Sequence, residues 1–264
     1  MATASLNGIR VDHEVGGQGP AVLLTHGYSA TGRMWEGQRG TLGARYRLIT
    51  WDMRGHGQTV SPDDPKQYSA PLTVADMAAL LRHVEVDRAV VGGLSLGGYM
   101  SLAFYRTHPA MVRALVICDS GPGYRNAEAR AAWNRQAHQR ADELEARGLD
   151  VLAGRSREMR EAAQHHRSDQ GLAHAARGML AQEDAAVIDS LPQVRVPTLI
   201  IVGDRDAPFI PASRYMAGKI PGARLEVVKD AGHSANLDQP DAFNRVLLEF
   251  LDSLPPDGSS VTAR

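Results

Sequence analysis

Three residues far apart in the chain, Ser95, Asp206 and His233, are of the types that together make a nucleophile at neutral pH. A serine hydroxyl is weak alone. It needs a histidine to take its proton, and the histidine needs a carboxylate to fix its tautomer and stabilise its charged form. Ser95 lies in Gly93-Leu94-Ser95-Leu96-Gly97, and the spacing Gly-x-Ser-x-Gly matches a nucleophile elbow, a sharp strand-to-helix turn on which small neighbours let the backbone bend. The serine then opens a helix, whose dipole favours negative charge developing beside it. With 26 glycines in 264 residues the pentapeptide alone is a weak signal, so its setting has to carry the argument.

That setting is present. Asp87-Arg88-Ala89-Val90-Val91-Gly92 gives a short apolar run after a charged turn, and Tyr99 to Arg106 is apolar at helical spacing until His108-Pro109 stops it. Upstream, Asn7-Gly8 suggests a hairpin leading into Ile9 to Val15, which alternates as a half-exposed strand does and would leave His13 on the surface. Ala21 to Thr25 suits a strand buried on both faces and ends at His26-Gly27-Tyr28-Ser29, with Trp35 in a helical stretch beyond it. Tyr46 to Trp51 is the next strand. It runs into Asp52-Met53-Arg54-Gly55-His56-Gly57, and the helix Thr73 to Val84, with Val74, Met77, Leu80, Leu81 and Val84 on one face, then leads to the elbow strand. Strands alternating with helices argue for a parallel sheet covered on both faces.

After the strand ending at Cys118 the pattern changes. Asn126 can cap a helix with Trp133, Ala137, Ala141 and Leu144 on one side, ending at Gly148, and shorter helical pieces follow through Ile188 without a strand. The block reads as an insertion. Thr198 to Gly203 restores the buried-strand pattern, Ala223 to Val228 is a last strand, and a helix from Pro240 to Leu251 closes the domain. Asp206 and His233 each follow one of these strands, at the edge of a parallel sheet where Ser95 also emerges.

Bulk properties narrow the class. The length suits one large α/β domain that needs no disulfide, and the single cysteine, Cys118, falls in an apolar run as a buried inert thiol. A net charge of −1 gives no argument for nucleic acid or an anionic membrane, and no stretch approaches a membrane span; a cytoplasmic enzyme acting on a small molecule, as a monomer or homodimer, is the expectation. The tail 255–264 reads as disordered. His165, His166 and His174 have no Cys or carboxylate at ligand spacing beside them, so solvated helix faces, and no metal site, are expected there.

Five motifs in order make the chain resemble the α/β-hydrolase family over nearly its whole length: His26-Gly27-Tyr28, Asp52 to Gly57, Gly93 to Gly97, Gly203-Asp204-Arg205-Asp206, and Ala231-Gly232-His233 followed by Gln239-Pro240. The resemblance implies an eight-stranded, mostly parallel sheet with helices on both faces, formed by residues 1–123 and 194–264, with 124–193 as a helical cap. It also implies Ser95 as nucleophile, His233 as base and Asp206 as acid, an oxyanion hole from the backbone N–H groups of Tyr28 and Leu96, and no cofactor. Asp119, after the strand that follows the elbow helix, is the alternative acid; Asp204 reads as a capping or salt-bridging residue, and His26 and His56 as loop-holding residues. Met34, Trp35 and Tyr28 from the main domain and Tyr124, Trp133 and Met179 from the cap are candidates for the pocket wall, though a place in the core is the first reading for each.

The reaction this implies is hydrolysis of a small carboxylic ester or lactone, with the chain most similar to 3-oxoadipate enol-lactonase-like enzymes and small bacterial carboxylesterases. Carbon–carbon bond hydrolysis and cofactor-free perhydrolysis would use the same residues. A reading of another class is a ligand receptor built on the same fold.

Overall fold

The structure, a computed structural model, describes residues 2–255; the expectation for the tail lies, beyond Pro255, outside them. Strands β1 (Ala2–Leu6) and β2 (Ile9–Gly16) pair antiparallel around the Asn7-Gly8 turn. Both turn residues have positive φ, 48° and 82°, the geometry that twists a two-residue hairpin correctly and that Asn-Gly accepts at little cost. Six further strands follow: β3 (Ala21–Thr25), β4 (Arg47–Trp51), β5 (Ala89–Leu94), β6 (Val112–Cys118), β7 (Thr198–Gly203) and β8 (Arg224–Val228). They form one sheet in the order β1-β2-β4-β3-β5-β6-β7-β8, parallel from β4 to β8, with β2 antiparallel to β4.

Helices α1 (Glu36–Gly43), α2 (Ala70–His83) and α3 (Leu96–Thr107) punctuate the first half of the sheet. The segment between β6 and β7 is helical among the described residues: α4 (Ala127–Arg147), α5 (Arg157–Ala162), α6 (Asp169–Ala175) and α7 (Ala186–Ser190), joined by 3-10 and π turns. Asn126 Oδ1 accepts the Ala129 N–H at 2.8 Å to start α4, and Gly148, at φ 65°, ends it. Helices α8 (Ile210–Lys219), α9 (Ala235–Asp238) and α10 (Pro240–Ser253) complete the chain.

The core divides at the sheet. On one side Trp35 and α1 pack with Phe243, Leu247 and Phe250 of α10; on the other, α2, α3 and α8 share a continuous apolar body with Leu144, Leu172 and Met179 of the helical segment. Cys118 is fully buried, and burial pushes its thiol well above the ordinary value, which keeps it inert. No helix among the described residues is long and apolar enough to cross a membrane.

One expectation for the sheet is corrected. His13 is 4% exposed rather than on the surface, edge-on to His83 of α2 with ring centroids 5.5 Å apart. Its neighbour Asp12 is covered too, because Thr59 Oγ1 accepts the Asp12 N–H and the Val60 N–H donates to the Arg10 carbonyl. A loop on one face and a helix on the other bury a strand whose alternation suggested one wet face.

Candidate active site

The site is built where the sheet's strand order reverses direction about β3, since β4 lies on one side of it and β5 on the other. Register places Thr25 beside Gly93, so the loops leaving β3 and β5 run side by side. A methyl group on Gly27 would lie 3.5 Å from Ser95 Cβ.

Ser95 occupies the turn between β5 and α3 with φ 53° and ψ −115°, a conformation that a non-glycine residue adopts only when its surroundings impose it. Two hydrogen bonds impose it here. The Ser95 N–H donates to the Cys118 carbonyl at 2.9 Å, and Ser120 Oγ donates to the Ser95 carbonyl at 2.6 Å. Gly97 is required by the same turn, because a Cβ there would come within 2.2 Å of the Thr25 carbonyl oxygen. The Leu96 N–H is the first of α3 and has no carbonyl within the helix to meet. The Tyr28 side chain is held by its hydroxyl, which donates to the Leu172 carbonyl at 2.9 Å.

Asp206 and His233 come from the loops after β7 and β8 and meet at 2.9 Å between Asp206 Oδ2 and His233 Nδ1. In the neutral ring this places the proton on Nδ1 and leaves Nε2 as the acceptor. Phe209 packs against the imidazole with centroids 4.8 Å apart. Burial pulls the His233 pKa down, but the hydrogen bond and charge of Asp206, together with Glu158 and Asp119, outweigh it and hold the ring above its ordinary value. Asp119 is engaged elsewhere: its carboxylate accepts the Gly203 N–H at 2.8 Å and the Ala235 N–H at 3.3 Å. Burial, with the nearby charge of Asp206, raises its pKa despite these bonds and the pull of His233. Asp204 accepts the Ala231 N–H at 3.2 Å, a loop-capping role.

Ser95, Asp206 and His233 open onto one cavity of about 370 Å³. Tyr28 and Trp133 line it, whereas Met34, Trp35 and Met179 do not, which corrects their candidacy as pocket wall. Trp35 and Met179 are fully buried and Met34 nearly so; Trp35 packs on Phe243, centroids 6.2 Å apart, and Met179 fills the interface between the helical segment and the core. Tyr124 lies 5.9 Å from Trp133, ring to ring, and lines an adjoining cavity. Residues that the reading of the chain passed over also face the site: Gln136 and Arg140 on α4, Ser29, Arg155 and Phe209. The spacing Trp133, Gln136, Arg140, Leu144 is itself helical, so a polar stripe next to the chosen apolar one was there to be found.

The histidines hold loops. His26 Nε2 accepts the Met53 N–H at 2.9 Å, which leaves Nδ1–H to donate to the Gly27 carbonyl at 2.7 Å. His56 Nδ1 bonds the Arg54 carbonyl at 2.9 Å. His166, expected on a solvated helix face, is instead 8% exposed: its Nδ1 accepts the Gly57 N–H at 2.9 Å and its Nε2–H donates to the Ser29 carbonyl at 3.0 Å, tying the helical segment to the sheet's loops. Desolvation lowers the pKa values of His26 and His166 to about 4, so these rings stay neutral at pH 7. Among the described residues no three His, Cys, Asp or Glu side chains are grouped to hold a metal ion.

Residues 22–246 match the model of the alpha/beta hydrolase family. The chain belongs to that family. The protein is thus a hydrolase, and it is similar along its length to several other proteins. A Bacillus subtilis protein provisionally named 2-succinyl-6-hydroxy-2,4-cyclohexadiene-1-carboxylate synthase is 27% identical, the match covering 92% of this chain and 96% of that one. The 3-oxoadipate enol-lactonase 1 of Acinetobacter baylyi is also 27% identical, over 89% of this chain and 90% of its own. Among solved structures, a thermophilic esterase from Thermogutta terrifontis superposes with a TM-score of 0.82 at 28% identity, covering 96% of this chain and 98% of that one.

Proposed function

We propose that this hydrolase cleaves a small carboxylic ester or lactone through an acyl-enzyme on Ser95. The observation that carries the reading is the common cavity: a serine held on a strained elbow and a histidine already paired with a carboxylate at 2.9 Å open onto the same space. In this mechanism Ser95 Oγ attacks the carbonyl carbon while His233 Nε2 takes its proton, and Asp206 stabilises the imidazolium that forms. The oxyanion is met by the N–H groups of Leu96 and Tyr28, donors of a kind worth about 10²–10³ in rate each. His233 then gives the proton to the departing oxygen, and water repeats the sequence to release the acid. Residues 124–193 act as the cap that closes the cavity. The esterase and enol-lactonase among the relatives support an ester or lactone substrate.

A fluorophosphonate probe followed by intact-mass spectrometry tests the nucleophile, and a panel of short esters and enol-lactones then tests the substrate class. One adduct is expected, on Ser95 and absent from Ser95→Ala. No adduct and no turnover, with tight binding of one ligand, would favour a receptor.

A pH profile tests the base. His233 has to be neutral to accept the serine proton, and its pKa is raised, so kcat/KM is expected to rise with pH through a value above 6.5. Glu158 of α5, 3% exposed and bonded by the hydroxyls of Ser156 and Ser234, supplies one of the raising charges. Glu158→Gln removes it and should move the acid limb to lower pH with little change in the plateau; an unmoved limb would mean that His233 does not feel this carboxylate.

A further inference from the structure

We infer that the substrate carries a carboxylate beside its scissile bond and that Arg140 binds it; the inference rests on the serine-hydrolase reading above and names its substrate class. Ser95 stands between two chambers. The first is the cavity of about 370 Å³ already described, whose wall includes Arg140 and Arg155 among apolar side chains such as Leu144, Val151 and Met159. The second, about 270 Å³, shares Ser95, Trp133, Leu180 and Phe209 with it and has no charged side chain in its lining. The serine therefore divides a charged space, lined by two guanidinium groups and the Asp206 carboxylate, from a neutral one.

The cation in the first chamber is uncompensated. Arg155, Arg177 and Arg157 of the helical segment have carboxylate partners, Glu143 for the first, Asp142 and Glu145 at 2.6 Å each for the second and Glu161 at 2.7 Å for the third, whereas Arg130, Arg160 and Arg167 meet carbonyl or amide oxygens and Arg135 and Arg147 are exposed to solvent. Arg140 is half-buried in the chamber wall and makes no hydrogen bond or ion pair among the described residues. The carboxylates around it are occupied, Glu143 by Arg155, Glu158 by Ser156 and Ser234, and Asp206 by His233. Desolvation lowers the Arg140 pKa, with the neighbouring Arg155 acting in the same direction and Tyr28, Glu143 and Glu158 opposing it without a hydrogen bond to the guanidinium. A partly desolvated guanidinium without a partner is costly, and its planar fork of five N–H donors is matched by a carboxylate, which it can grip with two parallel bonds. The ligand that satisfies Arg140 is an anion small enough for the chamber, and the adjacent nucleophile makes that anion part of the substrate.

Two matched pairs of esters test this: p-nitrophenyl hydrogen glutarate against p-nitrophenyl pentanoate, which places the charge on the acyl side, and 4-acetoxybenzoate against phenyl acetate, which places it on the leaving side. The native enzyme should prefer the charged member of at least one pair. Arg140→Gln should lower kcat/KM for that member by about 10- to 100-fold, mainly through KM, while leaving the neutral member nearly unchanged, and Arg140→Lys should restore part of the loss. A neutral preference in both pairs, or equal losses on charged and neutral members, would overturn the inference. Calorimetry of glutarate binding to Ser95→Ala and to Ser95→Ala/Arg140→Gln separates the two readings. Arg140-dependent glutarate binding with no ester turned over would sink the serine-hydrolase reading and leave the anion site standing. Turnover of all four esters without any dependence on Arg140 would do the reverse.

Discussion

Ser95→Ala is expected to lower kcat by about 10⁴–10⁶-fold while leaving the melting temperature unchanged. The first half follows from chemistry, since without Oγ no acyl-enzyme forms and only binding and oxyanion stabilisation remain. The second half follows from structure. The Ser95 side chain caps no amide of α3, and the bonds that hold the turn are made by its backbone N–H and carbonyl, which alanine keeps. Asp206→Asn should cost about 10³–10⁴ in kcat, because an amide at 2.9 Å from His233 Nδ1 favours the wrong tautomer and cannot stabilise the imidazolium. Asp204→Asn should cost little in rate, as its carboxylate meets, among the described residues, only the Ala231 N–H. Asp119→Asn should act on stability, by about 1–3 kcal/mol, because an amide nitrogen would then face one of the two backbone N–H groups that the buried carboxylate now accepts. Rate loss from Asp119→Asn equal to that from Asp206→Asn would move the acid assignment to Asp119.

The second large effect is on stability and lies beneath the loop that carries Arg54. Arg54 and Asp76 of α2 are both fully buried, with Arg54 Nε donating to Asp76 Oδ2 at 2.5 Å and Nη2 to Oδ1 at 3.0 Å. Asn7 of the hairpin turn donates to the same carboxylate at 2.8 Å, and Arg54 Nη1 reaches the Gln67 carbonyl at 3.2 Å. One carboxylate thus joins the hairpin, the loop after β4 and α2. Asp76→Ala leaves a guanidinium in the interior without its counter-charge, and the expected cost is about 3–5 kcal/mol, a large part of the stability of a domain this size. In a thermal melt this is a fall on the order of 10 °C. The double variant Arg54→Met/Asp76→Leu removes both charges together and should recover most of the loss, since a well-filled apolar pair avoids the desolvation penalty. A double variant as unstable as the single one would show that the hydrogen bonds to Asn7 and Gln67, rather than the stranded charge, carry the effect.

What could be read without a structure was what contiguous residues dictate. The elbow is a local object: an apolar strand, a glycine on either side of Ser95 and an apolar helix lie within some twenty residues, and the bend follows from their sizes. The Asn7-Gly8 hairpin, the Asn126 cap and the Gly148 stop are local in the same sense. The alternation of strands and helices implied a parallel sheet, and in such a sheet the ends of β5, β7 and β8 lie on one edge, which is why Ser95, Asp206 and His233 could be placed together from their positions after strands. Only the tertiary structure decided what depends on which surfaces cover which. His13 and His166 are buried because a helix and a loop from elsewhere in the chain close over them. Met34, Trp35 and Met179 fill the core rather than the cavity, and the face of α4 that lines the cavity with Ser95 is the one bearing Gln136 and Arg140. An amphipathic helix announces that it has an apolar side, but whether the stripe next to that side meets water or a cavity is set by where the helix is docked, through contacts between residues tens of positions apart.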